Sequence, residues 1–384
     1  MNQPIPSFSS DAVLRIRSQS LRGKNLISGV TDKVSLAIGE PDFDTPQVIV
    51  DAQIEALRAG YTHYSPQEGR IELVDAILKT AVAVADKGFS SENILVTHGG
   101  AAGLTASIQG LLNPGDLVLL EDPTYSLYLD GINMAGASVK RFARGEGGAF
   151  DFDRIDKDAK GAKLIILCHP SNPTGAVISR DEWASFADIV KRNGLFLLCD
   201  EAYEGLAYGD SAFVSALDID GLGDRLLVSR TFSKKYAMTG WRLGYLVGDP
   251  RLIASASTVH RTFNGAINSA NQLAGATALR KAGQEAETMR RSFDKRRDLM
   301  EACLLKIPSI RFRRPDGAFY FWLQYPGKLG TSLEVAAQAA QAGVMVRRGE
   351  EFGGSGKHAL RLSYATDEAS IVEGVARLGR VLAG

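Results

Sequence analysis

Between about residue 46 and residue 285, the chain alternates short apolar runs with longer amphipathic stretches. The apolar runs have the length of β-strands, and several are apolar nearly throughout, as expected of strands covered on both faces of a sheet. They span residues 94–97, 117–121, 138–142, 164–168, 195–199, 226–229 and 245–247. The helical patterns that separate most of them span residues 101–112, 126–135 and 180–192. This alternation predicts an α/β fold with a mostly parallel seven-stranded sheet, flanked by helices and joined by right-handed crossovers.

The pattern changes after about residue 285. A long charged helix is predicted at 284–306, and the β-type runs that follow it span 311–313, 318–323, 344–347 and 359–363. We therefore expect a large α/β domain over residues 46–285 and a small C-terminal α+β domain over residues 286–384. Residues 1–45 are expected to form an N-terminal arm with a short helix and part of the small domain.

The charges of the chain balance, with 44 basic and 44 acidic residues. No overall field favours nucleic acid or a membrane surface, so any anion site must be local. No apolar run approaches the roughly 20 residues of a membrane span, and the N-terminus lacks the pattern of a signal peptide. The five histidines show no metal-ligand spacing, so no metal site is expected. Cys168, Cys199 and Cys303 fit buried free thiols in a reducing, cytoplasmic compartment.

Polar clusters follow the predicted strands at their carboxyl ends, where open α/β sheets bind ligands. The strand at 94–97 leads into a glycine-rich turn at 98–103 and then a helix. Such a turn lets backbone N–H groups and the helix N-terminus face an anion, although a tight turn without a ligand has the same composition. After the strand at 117–121, Tyr125 could stack on a flat heterocycle or serve only in packing.

Two further strand ends carry side chains that suit a polar ligand. After 164–168, prolines on both sides of Asn172 stiffen the backbone and fix the direction of the amide. After 195–199 comes Asp200, a carboxylate that is costly at the end of a buried strand unless it pairs with a cation. A pyridinium nitrogen is one such cation, and a salt bridge or a helix cap is the alternative.

The segment 229–245 combines a lysine with hydroxyl groups and an arginine. Lys234 follows Ser233 and lies near Thr231, and Arg242 comes eight residues after the lysine. An amine can form a Schiff base with an aldehyde, while hydroxyls and a guanidinium can bind a phosphate. Taken alone, such a segment is more often a solvated surface turn. Together with the other strand ends, it indicates one cofactor that carries an aldehyde, a phosphate and a ring nitrogen.

Five motifs, in order along the chain, resemble those of the class I/II aminotransferases, the fold-type-I pyridoxal-phosphate enzymes typified by aspartate aminotransferase. They lie at residues 39–46, 171–175, 200–203, 233–242 and 360–365. The resemblance covers nearly the whole chain. It implies pyridoxal 5′-phosphate as cofactor and a ping-pong transfer of an amino group between an L-amino acid and a 2-oxo acid. It also implies a homodimer with active sites at the subunit interface.

The same resemblance implies a role for each matching residue. Lys234 would form the Schiff base and move the proton, and Asp200 would pair with the pyridine nitrogen. Asn172 and Tyr203 would hydrogen-bond the phenolic oxygen of the cofactor, while Tyr125 would stack on its ring. The cofactor phosphate would be held by Gly99, Gly100, Ala101, Thr231, Ser233 and Arg242, together with Tyr64 of the neighbouring subunit. The substrate α-carboxylate would be bound by Arg361, Asn172 and Gly39.

Several positions stay open on the sequence alone. Lys235 is a rival amine, although the interval to Arg242 favours Lys234, and Arg348 stands where a proline is common in the family. A carbon–sulfur β-lyase, or another synthase or lyase, on the same scaffold is the alternative function. The side chain of the substrate is not fixed. Residues that could bind a distal carboxylate, by type only, are Arg15, Arg17, Arg70 and Arg261.

Overall fold

The computed structural model describes residues 8–21, 31–81, 88–145, 147–209 and 213–383. Within these ranges the strands form three sheets. In chain order the strands are β1 (Val34–Ser35), β2 (Ile94–Thr97), β3 (Leu117–Glu121), β4 (Ser138–Phe142), β5 (Leu164–Cys168), β6 (Phe196–Asp200), β7 (Leu226–Thr231), β8 (Gly244–Gly248), β9 (Arg311–Phe312), β10 (Tyr320–Gln324), β11 (Val344–Met345), β12 (Arg347–Arg348) and β13 (Ala359–Ser363).

The helices lie mostly on the two faces of the largest sheet and around the smaller ones. In chain order the α-helices are α1 (Asp11–Gln19), α2 (Gln47–Arg58), α3 (Ile71–Ala76), α4 (Gly99–Leu111), α5 (Leu127–Ala135), α6 (Phe152–Asp158), α7 (Arg180–Asn193), α8 (Phe232–Lys235), α9 (Pro250–Phe263), α10 (Ser269–Lys281), α11 (Gly283–Leu304), α12 (Ser332–Gln341) and α13 (Glu368–Ala383). Across the described ranges, no helix combines the length and the apolar character needed to cross a bilayer.

Local chemistry explains where the helices begin and end. The N-terminus of α7 has a capping box, in which the Ser179 hydroxyl accepts from the Glu182 N–H while the Glu182 carboxylate accepts from the Ser179 N–H. The helix stops at Gly194, whose left-handed backbone (φ 70°) suits glycine. The predicted helix at 180–192 therefore ends one residue early but is otherwise confirmed.

The large sheet has seven strands in the spatial order β2–β8–β7–β6–β5–β3–β4. Only β8 runs antiparallel to its neighbours, and the remaining pairs are parallel. Alternate residues of β5 enter two apolar clusters on opposite faces, with Ile165 and Leu167 in one and Leu164 and Ile166 in the other. The predicted mostly parallel seven-stranded sheet is confirmed, and its unbroken apolar runs reflect burial on both faces.

Strand register brings the polar strand ends to one edge of the large sheet. Asp200, the last residue of β6, lies opposite Ser229 of β7, so the loops after these parallel strands start near each other. Because β8 is antiparallel, its first residue, Gly244, lies opposite both Thr231 of β7 and Thr97 of β2. The chain just before β8 and the turn after β2 therefore meet at the same edge.

A third apolar cluster surrounds the smaller sheets. The four-stranded sheet is antiparallel with the order β12–β13–β10–β9, and β1 pairs in parallel with β11. Phe293 of α11 and Phe321 of β10 are fully buried in this cluster. We propose the division into residues 1–45, 46–285 and 286–384 on this basis. The pairing of β1 with β11 supports placing part of the first segment with the small domain, while Arg15 of α1 donates to the backbone of Asn133 in the large one.

One predicted strand of the small domain is wrong in its extent. The run at 344–347 is not a single strand, because β11 pairs with β1 and the next strand, β12, pairs with β13 in the other sheet. The chain changes sheets at Val346, which is itself buried. An apolar run alone cannot reveal such a change of partner.

A buried ion pair between Glu201 and Arg230 holds the loop after β6 in place. Glu201 is fully buried, and its carboxylate accepts hydrogen bonds from Arg230 at 2.9 Å and from Ser215 at 2.8 and 2.9 Å. Arg230 lies on the neighbouring strand β7 and is only 5% exposed. The pair therefore joins the loop that follows Asp200 to the strand that leads to Lys234.

Replacing Arg230 with glutamine should destabilise the protein by about 3–5 kcal/mol, because Glu201 loses its charged partner inside the core. Urea unfolding measures this change. Arg192→Gln is the matched control, since Arg192 pairs with Asp156 at 2.8 Å on the surface, with 63% of its side chain exposed. The control should leave the unfolding midpoint unchanged, and an equal loss in both variants would argue against a structural role for the buried pair.

Candidate active site

A cavity of about 820 Å³ opens at the edge of the large sheet where the strand ends meet, and the small domain supplies its opposite wall. Most residues expected from the sequence line it. They are Gly39, Gly100, Ala101, Tyr125, Asn172, Asp200, Tyr203, Thr231, Ser233, Lys234, Arg242 and Arg361. Gly99 lies directly behind the wall, and Tyr64 lies outside the cavity of its own chain.

One end of the cavity is built to bind an anion. The N-terminus of α4 has no side-chain cap, and Gly100 and Ala101 of its first turn line the cavity. Backbone N–H groups at such a helix N-terminus can bind an anion. Thr231 and Ser233 bring their hydroxyls within 2.9 Å of each other. The guanidinium of Arg242 packs so tightly on Gly99 that a Cβ there would lie 2.8 Å from a guanidinium nitrogen, and Gly99 has a φ of +75°. The left-handed backbone and the close guanidinium both favour glycine at this position.

Asp200 lies in the floor of the cavity at the end of β6. It is 4% exposed, and its carboxylate accepts hydrogen bonds from the Tyr128 hydroxyl at 2.6 Å and the Ala202 N–H at 3.1 Å. Burial raises the pKa of Asp200 from its ordinary 3.8 to about 6, although both hydrogen bonds act in the opposite direction. A cation placed against this carboxylate would be stabilised and would restore its low pKa.

Lys234 directs its amine into the same cavity. The Nζ atom donates a hydrogen bond to the Gly39 carbonyl at 2.7 Å, and burial lowers the pKa of Lys234 to about 8. A neutral amine is therefore accessible near physiological pH. Lys235 instead forms an ion pair with Glu204 at 3.0 Å and does not line the cavity.

The wall opposite Lys234 carries Arg361, which is 6% exposed. Its guanidinium donates to the Asn172 side-chain oxygen at 3.0 Å and to the Ala37 carbonyl at 2.7 Å, and it lies 4.0 Å from the centre of the Tyr320 ring. Its Nε atom is buried without a hydrogen-bond partner among the described residues. This remaining donor and the fixed guanidinium plane suit a carboxylate.

Tyrosines complete the middle of the cavity. The hydroxyls of Tyr203 and Tyr320 share a hydrogen bond of 2.8 Å, and burial raises the pKa of both. Tyr125 packs edge to face on Tyr128 with ring centroids 5.7 Å apart. A Cβ on Gly39 would lie 2.3 Å from the Tyr320 hydroxyl, so the main chain at Gly39 closely approaches this ring.

Tyr128, Tyr320 and Ala37 are among the site residues that the sequence did not single out. Tyr128 supports Asp200 from the first turn of a helix, and Ala37 acts through its carbonyl, which carries no sequence signal. Conversely, the four arginines considered by type, Arg15, Arg17, Arg70 and Arg261, do not line the cavity of their own chain. Within the described ranges, no group of three or more histidine, cysteine or acidic side chains is placed to bind a metal.

Comparison with known proteins identifies the family. The sequence matches the model of aminotransferase class I and II over residues 31–378. It is 32% identical over 385 residues to an aspartate aminotransferase of Pyrococcus horikoshii, covering 98% of each chain. It is also 32% identical over 351 residues to the arginine–pyruvate transaminase of Pseudomonas aeruginosa, covering 89% of this chain and 88% of that protein. The solved structure of an aromatic aminotransferase from Pyrococcus horikoshii matches with a TM-score of 0.88 at 30% identity, covering 97% of this chain and 98% of that chain. The chain therefore belongs to the class I and II aminotransferases.

Membership of this family makes the chain a pyridoxal-phosphate-dependent aminotransferase that acts on amino and oxo acids. The cavity fits the cofactor. The anion-binding end with Gly99 and Arg242 suits its phosphate, and the uncompensated carboxylate of Asp200 suits its ring nitrogen. The amine of Lys234 lies in the same cavity.

Replacing Asp200 with asparagine should stabilise the cofactor-free protein. Holding Asp200 charged in the fold costs about 3 kcal/mol, and asparagine keeps an oxygen to accept from Tyr128. The pKa of Asp200 is higher in the folded than in the unfolded protein. The wild-type protein therefore loses stability as the pH rises from about 4 to about 6 and the carboxyl group ionises. Thermal midpoints of the cofactor-free proteins should therefore differ fully above about pH 6 and converge near pH 4.

Asp156→Asn serves as the control for this measurement. A hydrogen bond from Asn193 lowers the pKa of Asp156, so this substitution should destabilise the protein near neutral pH. A fall in stability for Asp200→Asn as well would contradict the interpretation of Asp200 as an uncompensated charge.

Proposed function

We propose that this aminotransferase transfers an amino group between an L-amino acid and a 2-oxo acid in two half-reactions, with Lys234 as its catalytic amine. The observation that carries the proposal is one cavity in which Lys234 faces both the buried carboxylate of Asp200 and the buried guanidinium of Arg361. Bound there, pyridoxal 5′-phosphate supplies an aldehyde for a Schiff base with Lys234 and an electron-withdrawing ring.

Lys234 is proposed to remove the α-proton of the substrate and to return it to the C4′ carbon of the cofactor. Its lowered pKa of about 8 supports this role, because a neutral amine is a base while the protonated form can give the proton back. Burial is the main cause of that lowered pKa, and the positive charges of Arg361 and Arg242 act in the same direction. The hydrogen bond to the Gly39 carbonyl fixes the direction of the amine.

Asp200 is proposed to bind the cofactor ring, and Arg361 is proposed to bind the substrate. Asp200 would keep a proton on the ring nitrogen, as its buried and hydrogen-bonded carboxylate favours a cation beside it. Arg361 would bind the α-carboxylate of the substrate, with Asn172 fixing the guanidinium. Tyr203 would donate from its hydroxyl to the phenolic oxygen. The phosphate is assigned to the turn at Gly99 with Gly100 and Ala101, and to Thr231, Ser233 and Arg242.

We further propose a homodimer in which Tyr64 completes the phosphate site of the partner subunit. Tyr64 is 97% exposed, which is unusual for a large aromatic side chain. It borders a second cavity of about 650 Å³ that also reaches His98, the residue before Gly99. A surface that joins an exposed tyrosine to the back of the phosphate site supports an interface at this position.

A reducing, cytoplasmic location is part of the same proposal. The three cysteines of the chain, Cys168, Cys199 and Cys303, are all buried and free. Burial raises the pKa of the Cys199 thiol, so this cysteine is held as an unreactive thiol. Structural thiols of this kind are typical of proteins from reducing compartments.

Lys234→Ala should lower amino transfer by at least about 10²–10⁴-fold, because the amine that moves the proton is lost. Lys235→Ala is the matched control and should keep most activity, since Lys235 pairs with Glu204 outside the cavity. The assay follows oxo-acid formation across a panel of amino acids. Borohydride reduction and peptide mass mapping locate the lysine that carries the cofactor.

Attachment to Lys235, or release of pyruvate and ammonia from cystathionine without any amino transfer, would contradict the proposal. The second result would indicate a carbon–sulfur β-lyase on the same scaffold. A spectrum of bound cofactor in Lys235→Ala confirms that this control variant is folded and loaded.

Mixed dimers test the position of Tyr64. A Lys234→Ala chain combined with a Tyr64→Ala chain creates one site with an intact Lys234 and an intact Tyr64 only if Tyr64 acts across the interface. We expect the mixture to regain tight cofactor binding that neither parent has, together with sedimentation as a dimer. No regain in the mixture, or an active monomer, would contradict a role for Tyr64 in the phosphate site of the partner subunit.

A further inference from the structure

The cavity contains four charged residues to which the proposed reaction gives no role. They are Lys33, Arg347, Arg348 and Glu351. Three are positive and one is negative, so this part of the wall carries a net charge of +2. The other charged residues of the wall, Asp200, Lys234, Arg242 and Arg361, are already assigned to the cofactor and the α-carboxylate. The unassigned part of the cavity therefore favours an additional negative charge on the substrate.

Strand pairing places one of these residues beside the α-carboxylate site. In the antiparallel pair of β12 and β13, Arg347 lies directly opposite Arg361. Side chains opposite each other share one face of a sheet, with Cβ atoms about 4.5–5.5 Å apart. Both arginines also line the cavity, so they contribute two positive side chains to the same wall.

Two positive side chains opposite each other in a sheet repel unless anions lie between or beside them. Glu351 supplies one such anion. It is 4% exposed, and its carboxylate lies 2.6 Å from the guanidinium of Arg347 and accepts a hydrogen bond from Arg348 at 3.1 Å. The single carboxylate of Glu351 cannot balance both Arg347 and Arg348, so an excess positive charge remains. A guanidinium also has enough N–H donors to bind more than one carboxylate.

Arg347 and Arg361 lie opposite each other on neighbouring strands of one cavity wall, a placement that suits a ligand with two carboxylates. We propose that Arg347 is a specificity-determining residue that binds the distal carboxylate of a dicarboxylic amino acid while Arg361 binds its α-carboxylate. This inference rests on the proposed function for the α-carboxylate site and names the substrate class of that site. A distal ammonium or guanidinium group would instead meet Lys33, Arg347 and Arg348, with only Glu351 to attract it.

Succinate is the probe that tests this inference on the cofactor-loaded enzyme. It carries two carboxylates and no amino group, so its affinity reports the site without any turnover. Propionate, with one carboxylate, is the matched ligand. Calorimetric titration of the wild type should give clearly tighter binding of succinate than of propionate, because the second carboxylate adds a charge-assisted contact.

Arg347→Gln should weaken succinate binding by about 10- to 100-fold and change propionate binding little, because only the distal contact is lost. Arg347→Lys should recover part of the affinity, since it keeps the charge but not the planar donor pair. Arg311→Gln is the matched control. Arg311 lies on β9 of the same four-stranded sheet but is exposed and does not line the cavity.

Kinetics provide a second measurement on the same variants. Arg347→Gln should raise KM for aspartate and glutamate and leave kcat/KM for a small neutral amino acid nearly unchanged. Unchanged succinate affinity in Arg347→Gln would overturn the inference, as would a wild type that prefers ornithine to aspartate, which would assign the distal site to Glu351. If succinate binding depends on Arg347 but no amino group is transferred, the inference stands and the proposed function fails.

Discussion

The site depends on one buried carboxylate at the end of a central strand. Asp200 accepts hydrogen bonds from two neutral donors, Tyr128 and Ala202, and burial raises its pKa to about 6. A fold that keeps such a group carries a cost in stability, and this cost disappears when a cation occupies the cavity beside it. We therefore expect cofactor binding and protein stability to be linked through Asp200.

The strands and loops around Asp200 transmit this constraint to the rest of the cavity. The Glu201–Arg230 ion pair joins the loop after β6 to β7, and β7 leads directly to Lys234. Because β8 is antiparallel to β7, it begins at the same edge of the sheet, and Arg242 lies just before it. The small domain supplies the opposite wall through β13, where Arg361 and its cross-strand neighbour Arg347 face the cavity. In the function proposed above, the large sheet thus holds the cofactor and the small domain holds the substrate.

The sequence predicts the fold and many cavity residues because both depend on local patterns. Strands buried on both faces are apolar runs, and Asn172, Asp200 and Lys234 stand out as polar residues just beyond them. The rest depends on packing between distant segments. In the sequence, Tyr128 cannot be distinguished from any other tyrosine of an amphipathic helix. Only the fold brings its hydroxyl to Asp200. The sequence predicts a single strand at 344–347, but this segment divides between two sheets. Only the observed strand register shows that Arg347 lies opposite Arg361.

Nitrogen-15 NMR of the bound cofactor, labelled at its ring nitrogen, tests the central claim most directly. If Asp200 is a buried carboxylate that requires a cation, the ring nitrogen should be protonated in the wild-type enzyme across the neutral pH range. In Asp200→Asn, which cannot carry the negative charge, the same nitrogen should lose its proton. A ring nitrogen that is unprotonated in the wild type, or equally protonated in both proteins, would contradict this account.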